Sequence, residues 1–395
     1  MANIFYAWEL GAGFGHIGAF LPLARALRAH GHDVSCVVNS TATAARLLDK
    51  DGFAWLQAPV CPERHRPGPP LSYADILLRY GYADAADLSG TTVAWREVLR
   101  LTGADCLLAD HAPTALLAAR SLGLPAILYS SGFCVPPPRT PTPAMRDWQP
   151  VPVPRLLTLE KLACDNINRV LAHFQQPGID GICRLFEVTE DTLLGFPELD
   201  HYPNRGTARY WGNLPDAGIG VPPNWPQVPG KKLFAYLRRE CRHGEAVLAA
   251  LRELGQPTLV FFPDAPEDFP QRFAATHLAF SRVPLDLAAV AHEADLAITY
   301  ASLSTTTRFL LTGCPVLLLP WHLEQFMLAR RVTTMGAGLV VDPDRPVVDL
   351  PDVLRRLLDT DDFAAHAQAF ARKYAAFSQE VVVANLVRRI EEICQ

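Results

Sequence analysis

Residues 294–329 read ADLAITYASLSTTTRFLLTGCPVLLLPWHLEQFMLA. The segment opens on a short apolar run, Leu296–Thr299, with the length and bounding of a buried parallel strand. A loop of small hydroxyl residues follows: Ala301, Ser302, Ser304, Thr305 and Thr306. Phe309, Leu310 and Leu311 then sit on a helix that Gly313 stops. A second buried strand over 315–319 ends at Pro320, and Glu324 and Gln325 stand just inside another helix. In an α/β sheet both loops would emerge at the carboxyl ends of adjacent strands, where ligands bind. An ordinary βαβ packing unit would carry the same periodicity.

The first loop has the physics of an anion site. A helix N-terminus offers unpaired N–H groups and the positive end of a dipole, and Ser302, Ser304 and Thr305 can add hydroxyl donors. Glu324 and Gln325 suit a polyhydroxylated ligand, since the carboxylate accepts and the amide both accepts and donates.

Outward from this stretch, apolar runs at 233–237, 258–262, 278–280 and 339–341 alternate with helical segments, which predicts a parallel, doubly wound sheet. A Pro- and Gly-rich stretch at 214–230 reads as a linker. Before it lies a second α/β series. A strand over 3–8 leads through the glycine loop 9–16 into a helix with Phe20, Leu23, Ala24 and Leu27 on one face. Gly11, Gly13 and Gly15 give G-x-G-x-G, and Asn39 stands where a dinucleotide fold wants a ribose-binding acid, so a Rossmann dehydrogenase is the weaker reading. A strand over 105–109 ends at Asp110-His111, and His111 is expected to point away from the site. Helices are expected over 73–100, 156–175 and 178–186. The Pro-rich loops 59–70 and 133–154 read as binding loops.

The motifs resemble those of GT-B glycosyltransferases of the UDP-glycosyltransferase-like group. Gly313-Cys314-Pro315, Pro320 and Glu324-Gln325 fall in register with that group's donor motif, and Ser304 and Thr305 fall where its small residues belong. Tyr300 stands in place of a His, Ala301-Ser302 in place of Gly-Gly, and Arg308 in place of a Glu. Gly15-His16 and Gly31-His32-Asp33-Val34 match the first βαβ unit, and Asp110 matches the acid that holds the family's catalytic His. The resemblance implies two Rossmann-like domains facing a cleft. An acceptor-binding domain would cover 1–213, a nucleotide-sugar-binding domain 231–378, and a helix over 379–395 would pack back on the first domain. It implies an inverting, metal-independent transferase that moves a sugar from a UDP- or dTDP-linked donor to a hydroxyl of a small or lipid-like acceptor, with no further cofactor.

His16 is then the base and Asp110 its partner; a neutral imidazole takes a hydroxyl proton near neutral pH, and the carboxylate fixes its tautomer. Arg308, with Arg238 and Arg239 after the first strand of the second series, would hold the diphosphate beside Tyr300, and ribose recognition would be weak. Phe14, Phe133 and Trp148 are expected to line the acceptor pocket. A glycosyltransferase-like protein without activity, serving as a binding or partner subunit, is the alternative that Tyr300 and Arg308 motivate. An epimerase of this fold would want further acids and histidines. Asp342-Pro343-Asp344 reads as a turn rather than a metal motif, because Pro at its centre favours a reversal.

Composition bounds the rest. The net charge of −5 argues against nucleic acid as a partner. The 9 scattered Cys predict a reducing, cytoplasmic setting, and no apolar run reaches a membrane span, which leaves a peripheral membrane contact open.

Overall fold

The computed structural model describes residues 1–214, 220–345 and 349–395. The chain divides into two compact units. The first holds Met1–Phe196, the stretch that begins at Asn204, and Ser378–Gln395. The second holds Pro197–Pro203 and the stretch that ends at Phe377.

The first unit is built on β1 (Asn3–Trp8), β2 (Asp33–Val38), β3 (Ala54–Gln57), β4 (Cys106–Asp110) and β5 (Ala126–Leu128). They form a parallel sheet in the order β3-β2-β1-β4-β5. β1 runs centrally, and Phe5, Tyr6, Ala7 and Trp8 are fully buried, as expected of a strand covered on both faces. β6 (Leu193–Leu194) pairs with β7 (Tyr210–Gly212) beside the sheet. The last helix, Gln379–Ile393, packs on the Gly15–Ala29 helix. There Glu391 faces His30 and His32 at 3.1 and 3.2 Å, and Arg389 pairs with Glu190 at 2.7 Å.

The second unit carries β8 (Leu233–Tyr236), β9 (Thr258–Phe261), β10 (Leu278–Ser281), β11 (Leu296–Thr299), β12 (Val316–Leu318) and β13 (Gly338–Val340). Their parallel order is β10-β9-β8-β11-β12-β13. The chain reverses direction across the sheet between β8 and β11, the switch point at which such sheets bind ligands. Leu233, Ile298 and Leu317 pack under the helices with Val247, Leu251 and Leu354.

The structure refines the expected elements. Residues 178–186 form only a short 3-10 turn, Ile182–Phe186: Gly181 is extended just before it, and the side chains of Asn168 and Glu160 accept the Ile179 and Ile182 N–H groups. The expected linker at 214–230 falls outside the described residues at 215–219. By Val221 the chain is already bridged to Leu285 of the second unit. The Asp342 carboxylate accepts the Asp344 N–H at 2.9 Å, the turn that the central Pro predicts.

Candidate active site

The candidate site of the first unit follows from the sheet register. β1 and β4 lie side by side with Trp8 opposite Asp110, so both loops leave the same sheet edge together. The β1 loop turns through Gly11 and Gly13 at φ 96° and 92° and delivers His16 on the first turn of the Gly15–Ala29 helix. His16 Nδ1 lies 2.9 Å from Asp110 Oδ2, so the Nδ1–H donates to the carboxylate. This leaves Nε2 facing the Gly11 turn, where a Cβ would stand only 2.9 Å from it; glycine is required there. The Trp8 indole stacks on the imidazole at 4.8 Å and ties its own N–H to the Leu10 carbonyl at 2.8 Å.

Asp110 has a second donor. The Tyr6 hydroxyl donates to the same Oδ2 at 2.7 Å. Tyr6 is fully buried and stacks on Phe20 at 3.8 Å, and burial, then Asp110, pushes its phenol up. Sequence reasoning passed over Tyr6 and Trp8. The signal was their i, i+2 spacing, which puts both on the β1 face that ends beside the dyad.

His111 is buried. Its backbone sits at φ 45°, held by Ser130 Oγ on its N–H and the Leu10 N–H on its carbonyl. Its ring lies 6.1 Å from both Tyr73 and Phe133. Burial, then the neighbouring His16, pushes its pKa down to about 3, so it stays neutral. Glu9, also overlooked, is 3% exposed and caps the Pro113–Leu122 helix through the Thr114 and Ala115 N–H groups. Burial raises it to about 7 against those hydrogen bonds.

The expected acceptor residues differ in exposure. Phe133 is buried against the His111 ring, Phe14 is 44% exposed at the head of the His16 helix, and Trp148 is half-buried in its loop. A cavity of about 330 Å³ lies at the Gly11 turn, walled by Glu9, Val60, Cys61 and Tyr80. The first Pro-rich loop thus reaches the His16 turn.

The expected donor residues lie at the ends of β8, β11 and β12 in the second unit. Ala301 takes φ 62°, the left-handed turn where the resemblance expects glycine, and Ser302 is the N-cap of the Leu303–Leu311 helix without a side-chain cap bond. Ser304 is exposed on the first turn, Thr305 buried, and Arg308 half-buried one turn on. Tyr300 packs edge-on to Tyr236 at 4.8 Å and against Trp321 at 4.7 Å; burial, then Tyr236, raises its phenol. Arg238 donates through Nε to Asp264 at 3.0 Å, with Glu240 at 3.9 Å. Burial opposes its charge, but Asp264, Tyr236 and Glu240 outweigh it and raise the guanidinium. Arg239 is exposed, and only its backbone N–H reaches Asp264, at 3.3 Å. Glu324 is half-buried on the first turn of the Leu323–Met335 helix, and buried Gln325 accepts the Trp321 N–H through its amide oxygen at 3.0 Å.

No protein-family model and no curated protein matches the sequence. Solved structures match it end to end. The glycosyltransferase VinC in complex with dTDP shares 19% identity over 99% of this chain and 100% of its own, at a TM-score of 0.68. The spinosyn rhamnosyltransferase SpnG complexed with spinosyn aglycone shares 17% over 99% and 100%, at 0.65. SsfS6, a Streptomyces sp. SF2575 glycosyltransferase complexed with thymidine diphosphate, shares 17% over 99% and 100%, at 0.67. At such identities what is shared is the fold: this chain has the GT-B fold of nucleotide-sugar glycosyltransferases.

Proposed function

We propose that the protein is an inverting glycosyltransferase that moves a sugar from a nucleoside diphosphate to a hydroxyl of a small-molecule acceptor. The observation that carries this reading is the His16–Asp110 pair at 2.9 Å, with Nε2 against the Gly11 turn. Nε2 takes the hydroxyl proton as the acceptor oxygen bonds to the anomeric carbon, and the bond to the diphosphate oxygen breaks. A single displacement inverts the anomeric centre. Asp110 stabilises the imidazolium that forms.

The first unit then binds the acceptor, near Phe14, Phe133 and Trp148, and the second binds the donor. The Leu303–Leu311 helix N-terminus, with Ser302, Ser304 and Thr305, meets the diphosphate together with Arg308, so its charge is met without a metal ion. Arg238 serves there as the Asp264-anchored guanidinium, Arg239 as an outer cation, and Tyr300 as a donor held by its aromatic neighbours. Glu324 and Gln325 hold the sugar hydroxyls. Arg308 cannot accept from ribose hydroxyls, so a dTDP-linked donor is favoured equally with a UDP-linked one. The dTDP complexes of fold neighbours support the inclusion of a thymidine-linked donor.

Tyr300 buried among aromatics and Arg238 paired with Asp264 favour a second reading, a binding or partner protein without activity. The test is transfer from dTDP-glucose and UDP-glucose to a panel of phenolic and macrolactone acceptors, followed by mass spectrometry with and without EDTA. Glycosylated product of inverted anomeric configuration, formed equally with EDTA, is expected. Nucleotide binding without transfer from either donor would establish the second reading.

A further inference from the structure

The dyad has a third member. We infer that Tyr6 is a positioning residue that sets the proton affinity of His16 by sharing its carboxylate oxygen. This inference rests on the reading of His16 as the base. The Tyr6 hydroxyl and His16 Nδ1 approach one and the same oxygen, Asp110 Oδ2, at 2.7 and 2.9 Å. A carboxylate oxygen that accepts from a phenol has less electron density to offer the imidazolium. Tyr6 therefore holds the base weaker than Asp110 alone would make it, and fixes Asp110 in the rotamer that faces His16.

The placement is built by the fold. Tyr6 lies on β1, two residues before the Trp8 that stacks on His16. Its ring is clamped flat on Phe20 at 3.8 Å, so the hydroxyl has one place to point. Burial and the neighbouring carboxylate both keep the phenol protonated, and a protonated phenol can only donate to Asp110. Three further titratable groups bear on the dyad. Tyr129 stands edge-on to Tyr6 at 6.1 Å but spends its hydroxyl on the Ala19 carbonyl at 3.0 Å. His111 is neutral through burial and His16. Cys36, opposite Tyr6 on β2, is a buried thiol that burial keeps protonated.

Tyr6→Phe keeps the stack on Phe20 and deletes only the shared hydrogen bond. The His16 imidazole is followed by 15N NMR against pH, with His16→Gln used to assign its signals. The midpoint is expected to rise by about one pH unit, the scale of one hydrogen bond to a charged group. The acid limb of kcat/KM should move up with it, because the imidazolium persists to higher pH. Tyr129→Phe, which loses a buried hydroxyl of similar depth, should leave the midpoint where it was. An unmoved or lowered midpoint in Tyr6→Phe overturns the inference. A raised midpoint in a protein that transfers no sugar upholds it and removes the proposed function instead.

Discussion

His16 donates its Nδ1–H to Asp110, and the proposed role as base predicts that its removal strikes turnover and spares folding. His16→Ala is expected to lower kcat by about 10²–10⁴-fold, the range of a general base, with KM for the nucleotide sugar unchanged. Steady-state kinetics on a folded variant checks this; a loss confined to KM would make His16 a binding residue. Glu9 permits a stability test. Burial raises its pKa from the usual carboxylate value near 4.5 to about 7 in the folded state, which therefore holds the proton more tightly. Stability is then full below pH 4.5 and falls as pH rises towards 7. Glu9→Gln removes that loss, and its amide oxygen can still accept the Thr114 and Ala115 N–H groups. The variant should melt higher than wild type at pH 8 and together with it at pH 4, the gap at pH 8 being at most about 3 kcal/mol. Equal melting at both would mean that the helix N-terminus compensates the burial.

At the scale of elements, the turn between β11 and the Leu303–Leu311 helix carries a visible compromise. Ala301 holds φ 62°, which costs a residue with a Cβ about 1–2 kcal/mol, while glycine there would forfeit about 0.5–1 kcal/mol of chain entropy. The difference favours glycine, and Ala301→Gly should stabilise the protein by about 0.5 kcal/mol in denaturant unfolding. A clear destabilisation would mean that the Ala301 methyl, 1% exposed, packs for more than its backbone costs. The helix that follows is the expected phosphate site. Arg308→Ala should weaken dTDP about tenfold by calorimetry, the value of one charge-assisted contact. An unchanged affinity would place Arg308 outside the donor site.

For the whole molecule, a ligand that binds only the folded state raises the melting point. dTDP and UDP should each raise it to the same extent, and GDP less; a strong preference for UDP would show that ribose is read after all. Much of this fold was legible in the chain because buried parallel strands are short apolar runs with punctuated ends, and every strand of the second sheet announces itself so. The glycine loop, His16 and Asp110 were legible through local pattern and resemblance. The partners of these residues were not. That Tyr6 shares Asp110 across 104 positions, that Asp264 takes Arg238, and that Tyr300 is walled by Tyr236 and Trp321 depend on which strands lie side by side. Periodicity along one strand records which face is buried, and it holds nothing about the neighbour across the sheet. The sequence by itself therefore determined the two α/β series and the dyad's likeness to a general base. Only the tertiary structure decided that Tyr6 shares the Asp110 carboxylate and that Arg238 pairs with Asp264, because strand order and register set those distances.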